Sequence, residues 1–127
     1  DAFTGNADYR KQAEEAFGLV SEFTTRYPTG FAQWLSAADF ALRHIKQIAI
    51  VGDRESKETQ ALLKEVRTQY RPNTVVAAAP YPIPENSPAL LESRTLKNNL
   101  PTAYVCEGFA CKLPVNSVNE LREQLNA

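Results

Sequence analysis

The sequence predicts an α/β fold: an N-terminal αα-hairpin, a small βαβ unit, then a C-terminal β-hairpin and helix. Three observations carry this. Apolar residues in the first third recur at steps of three and four, the spacing of one helical face. Two short, mainly apolar runs, Ile48–Val51 and Thr74–Ala79, flank a helical stripe in a span of about 35 residues, enough for a βαβ unit. Two further strand-like stretches stand on either side of Gly108-Phe109, which fits a two-residue hairpin turn.

The opening helix carries Tyr9, Ala13, Ala16, Phe17, Val20, Phe23 and Tyr27 on one side. Arg10, Lys11, Glu14, Glu15 and Glu22 fall mostly on the other, and Asn6 is placed to cap the start. Pro28 stops the helix, because it has no N–H to donate and disfavours helical geometry at Tyr27. Thr29 is the expected cap of a second helix bearing Phe31, Trp34, Leu35, Ala38, Ala41, Leu42 and Ile45. So short a turn folds the two helices back on each other.

Beyond His44 the pattern changes. Ile48 to Val51 reads as a strand covered on both faces, closed by Gly52. Asp53 or Ser56 caps the next helix, whose expected stripe is Leu62, Leu63, Val66 and Tyr70 and which Arg71-Pro72 ends. The strands near 46–51 and 74–79 should be parallel, with a right-handed crossover. Five of the eight prolines lie between Pro80 and Pro101, so that segment cannot be a central strand. It is expected to pack along the surface, with a short helix from Ser87-Pro88 through Leu90 and Leu91 to about Arg94. Ser117 and Glu120 form a capping box for a last helix with Val118, Leu121 and Leu125 inward.

The chain has 127 residues, enough for one ordinary domain or two small subdomains sharing a core. Fourteen Lys and Arg against 15 Asp and Glu leave a net charge of −1, without the basic excess of a nucleic-acid binder. No apolar run reaches the roughly 18 residues that cross a bilayer. Neither nucleic acid nor membrane is therefore an expected partner. There is no Met and the first residue is Asp1, so the chain reads as a trimmed piece of something longer, with a processed mature protein as the alternative. Two cysteines are too few for a secreted disulfide framework, and the expected location is cytoplasmic.

Little in the sequence points to catalysis. The one histidine, His44, excludes a zinc site built on histidine pairs and stands without a triad motif. No P-loop or dinucleotide fingerprint is present, and no cofactor is expected. Gly52-Asp53, between strand and helix, is a candidate for phosphate or another small ligand; the alternative is a tight turn with Asp53 as cap. The carboxylates sit on amphipathic helices and read as solvated faces. Cys106 and Cys111 are the strongest local signal. With Gly108-Phe109 as the turn they face each other at a non-hydrogen-bonded site, about 4.5 Å apart between Cα atoms. The favoured reading is a pair of reduced, buried thiols sharing an apolar face with Tyr104 and Leu113. A cross-strand disulfide and half of a metal site are the alternatives.

The stretch Thr102-Ala103-Tyr104-Val105-Cys106, Cys111 with Leu113-Pro114 behind it, and the helix ending Glu120-Leu121-Arg122-Glu123-Gln124-Leu125 resemble the C-terminal end of the spermatogenesis-associated, thioredoxin-domain-containing proteins. Tyr27-Pro28, the Ile48–Gly52 strand and Tyr70-Arg71-Pro72-Asn73 follow in the same order. The resemblance implies a longer chain: a thioredoxin-like domain, a helical toroid similar to six-hairpin glycosidases and N-acylglucosamine 2-epimerases, then a small α/β segment. On that basis residues 1–44 are the last helical hairpin of the toroid and residues 45–127 are the α/β segment. It implies no catalytic residue here. The expected function is a non-catalytic accessory segment docked on the rest of its own chain, with self-association through Phe23, Phe31 and Trp34 in its absence. The rival is a redox-responsive module using Cys106 and Cys111.

Overall fold

A computed structural model describes residues 2–108 and 110–127. Four strands form one mixed sheet, β1 (Lys46–Val51), β2 (Thr74–Ala79), β3 (Thr102–Glu107) and β4 (Ala110–Cys111), in the order β2-β1-β3-β4. β1 runs parallel to β2, with Lys46 opposite Thr74, and antiparallel to β3, with Lys46 opposite Glu107. The unbroken run Ile48–Val51 is fully buried, as a central strand covered on both faces must be. β2 lies at the edge and alternates between buried and exposed positions.

Helix α3 (Lys57–Arg67) crosses from β1 to β2, and α4 (Val118–Asn126) packs beside it. Ser56, not Asp53, caps α3 by accepting a hydrogen bond from the Thr59 N–H. Leu62, Leu63 and Val66 pack with Leu121 and Leu125 of α4 against Ile48, Ile50, Ala103 and Val105 on one sheet face. Each large side chain buried there stabilises the fold by about 1.5–3 kcal/mol. α3 ends earlier than expected, at Arg67, so Tyr70 falls beyond it and stands 91% exposed. The capping box on α4 forms as expected: Ser117 Oγ accepts from the Glu120 N–H and the Glu120 carboxylate accepts from the Ser117 N–H.

On the other sheet face the proline-rich segment crosses and seats Leu90 and Leu91 against Ala49, Val51, Val75, Ala77 and Ala79. The expected short helix is a single 3₁₀ turn, Ala89–Leu91, with Pro88 rather than Ser87 at its cap.

Helices α1 (Ala7–Arg26) and α2 (Ala32–Leu42) pack on each other. Asn6 caps α1 through the Asp8 N–H at 2.9 Å. Thr29 does not cap α2; the turn after Pro28 runs on to Phe31, which holds the cap position without a side-chain bond. α1 buries only Thr24, and α2 has no fully buried residue. The pair reaches the α/β part mainly through Phe40, with Ile45 just beyond α2, both partly buried against the second sheet face.

Candidate functional site

The second sheet face ends at Cys106, where β3 and β4 pair as expected: Cys106 opposite Cys111 and Glu107 opposite Ala110. Gly108 takes the positive φ (+54°) that a two-residue turn demands at its first position. Phe109, the second turn position, lies outside the described residues. The two sulfurs are joined in a disulfide, with Cα atoms 3.9 Å apart. This corrects the favoured reading of two reduced thiols. The shared apolar face is corrected as well. Cys106 is buried, but β4 is a two-residue edge strand, so Cys111 is exposed and Leu113, past its end, is 79% exposed. With both sulfurs in one bond, neither is free to ligate a metal, and the described residues contain no cluster of three or more His, Cys, Asp or Glu that could hold one.

Arg94 completes the site, and nothing in the sequence marked it. The buried Leu90 and Leu91 fix the 3₁₀ turn, and Ser93, in the left-handed region at φ 58°, redirects the chain after it. The Arg94 guanidinium lies over the Tyr104 ring, 4.8 Å from its centroid, in a cation–π contact. Its Nη2 donates to Sγ of both Cys106 and Cys111, each at 3.5 Å. The Tyr104 hydroxyl donates to the Thr95 carbonyl at 2.7 Å and accepts from the Thr95 N–H at 3.2 Å, which ties the segment to β3. A charged donor thus stands beside a disulfide that joins one buried and one exposed cysteine. The residues come together from three elements, and Arg94 lies 12 and 17 positions from its sulfur partners, too far for any local pattern to reveal.

The Gly52-Asp53 candidate becomes a packed turn. The Gly52 N–H donates to the Ala79 carbonyl at 3.0 Å, and Asp53 Oδ1 accepts from the Glu55 N–H at 3.0 Å. A Cβ on Gly52 would lie 2.5 Å from Thr59 Oγ1 and 2.8 Å from Pro101 Cβ, so close approach accounts for the glycine. His44 is exposed just after α2. Elsewhere, Arg122 holds Glu65 in a two-pronged bond at 3.0 and 2.7 Å. Those hydrogen bonds hold the Glu65 carboxyl below its ordinary range, with Arg71 contributing from farther away.

The helix pair carries the largest apolar exposure. Leu19 is 82% and Leu42 87% exposed, Phe23 is 52% and Trp34 36% exposed. Phe31 is half-buried and stacks on Phe23 with ring centroids 6.2 Å apart. A groove of about 510 Å³ runs between α1 and α2, lined by Ala13, Phe17, Trp34, Ala38, Ala41 and Leu42, with the Arg10–Glu14 ion pair at its rim.

A mixed α/β segment with an uncovered helical pair is a form suited to being one part of a longer chain, and the relatives are longer chains. Over 98% of its length this protein is similar to Spermatogenesis-associated protein 20 from human, at 34% identity across 132 aligned residues. The mouse protein of that name is 30% identical and the rat protein 31% identical, over 98% and 97% of the chain. The chain spans only 16% of the length of each. No family model matches it, and no solved structure matches it. Among the described residues, no helix is long and apolar enough to cross a membrane.

Proposed function

We propose that this chain is a non-catalytic accessory segment at the C-terminal end of a larger protein, docked through α1 and α2 onto the part of that protein preceding it. The observation that carries the reading is the helix pair itself. Across 31 helical residues, 20 in α1 and 11 in α2, Thr24 alone is fully buried. A helix patterned to bury one face, with that face only partly covered, is a helix whose further partner lies elsewhere. Similarity to a 16% portion of much longer relatives supports the same reading. In the larger protein, on the family resemblance, a thioredoxin-like domain and a helical toroid precede this segment, and α1 and α2 form the toroid's last hairpin. The location that goes with this reading is the cytoplasm.

The test places Asp at Leu19 and Leu42 in both the isolated chain and the longer protein. The isolated chain should keep its melting temperature, while the longer protein should lose stability or release the segment to limited proteolysis. An unchanged longer protein would reject docking through this face. Self-association of the isolated chain through Phe23, Phe31 and Trp34 is a corollary, read by sedimentation equilibrium or light scattering.

A further inference from the structure

We propose that Cys106, Cys111 and Arg94 form a thiol–disulfide exchange site that accepts two electrons from a dithiol. The proposal goes beyond the docking role and does not depend on it. The geometry separates the two sulfurs. Cys111 lies on a two-residue edge strand and is exposed, whereas Cys106 is 4% exposed beneath it. An incoming thiolate therefore reaches Cys111 Sγ first, and Cys106 Sγ is the leaving group.

One thiolate of the dithiol bonds to Cys111 Sγ as the Cys106–Cys111 bond breaks, and its electron pair leaves on Cys106 Sγ. The dithiol's second thiolate attacks its own sulfur in the mixed disulfide and frees Cys111. The dithiol is oxidised to a disulfide, and its two protons end on the two cysteines. A leaving thiolate is better the more it is stabilised, and a permanently charged guanidinium is the group that does this. Arg94 Nη2 already donates to both sulfurs at 3.5 Å, so the charge is in place before the bond breaks. Its stacking on Tyr104 and the bond from Nε to the Leu90 carbonyl hold the fork in that position. Arg94 is a positioning and charge-stabilising residue, and the sulfurs carry the exchange.

Dithiothreitol and thiolate ultraviolet absorbance test this on the folded chain. Native wild-type protein should be reduced by dithiothreitol without denaturant, as counted by alkylation and intact mass. Titrated after reduction, its first thiol should ionise below the ordinary value near 8.5. Arg94→Gln should raise that midpoint by about one unit, a tenfold loss of thiolate at neutral pH, and slow reduction. Arg94→Lys should recover part of both. Arg94→Met retains the stem over Tyr104 and replaces the glutamine variant if circular dichroism shows that variant unfolded. A disulfide that opens only in denaturant, or midpoints and rates unchanged on removing the Arg94 charge, would overturn the proposal.

Discussion

The helices of residues 1–44 and those of the remaining chain each carry apolar side chains at helical spacing, yet they bury them to very different degrees. In α3 the stripe Leu62, Leu63 and Val66 is at most 6% exposed, because α4 and the sheet lie against it. In α1 and α2 the corresponding residues face each other across a groove or face water, with Leu19 and Leu42 more than four-fifths exposed. Periodicity reports a face meant for burial, and says nothing of whether the burying surface belongs to the same stretch of chain. Stability should follow burial and not pattern.

Substitutions in the two regions should therefore differ in cost. Leu62→Ala, in the fully packed core, should cost about 2–5 kcal/mol in urea unfolding. A cost under 1 kcal/mol there would erase the contrast between the regions. Gly52→Ala forces a methyl against Thr59 and Pro101 and should cost about 1–3 kcal/mol. Full tolerance would mean that the turn can open and that its packing is not what selects glycine. Arg122→Gln should have a smaller effect with a distinctive pH profile. Glu65 is held below its ordinary pKa in the folded state, so its contribution is fully present above the unfolded carboxyl's range and disappears as pH falls through the folded value. The gap in melting temperature between wild type and Arg122→Gln should therefore be widest near neutral pH and close in acid. A gap independent of pH would show that the pair acts through packing alone. Leu19→Ala and Leu42→Ala in the isolated chain should shift stability by no more than about 0.5 kcal/mol. A core-sized loss from either would mean that the helix pair is already covered.

Features set by neighbours in sequence were legible before the structure. β1 and β2, the Asn6 cap, the Ser117–Glu120 capping box and the register of Cys106 with Cys111 all depend on spacing within a few residues. What escaped depends on what lies across space. Tyr70 continues the stripe of α3 in sequence, but the helix has ended before it arrives. Cys111 alternates correctly with Leu113, but the strand that would bury that face lasts two residues. Arg94 reads as the end of a short helix, and only the path of the proline-rich segment over the sheet brings it to the sulfurs. Covering a sheet face with a proline-rich strap leaves no periodic trace, because such a segment repeats neither every two residues nor every 3.6.

Amide hydrogen exchange on the isolated chain and on the longer protein that contains it reads directly whether the helix pair gains a cover. β1 and α3 should be strongly protected in both, while α1 and α2 should exchange rapidly in the isolated chain and become protected in the longer protein. Equal protection of α1 and α2 in the two settings would show that nothing outside this chain covers them.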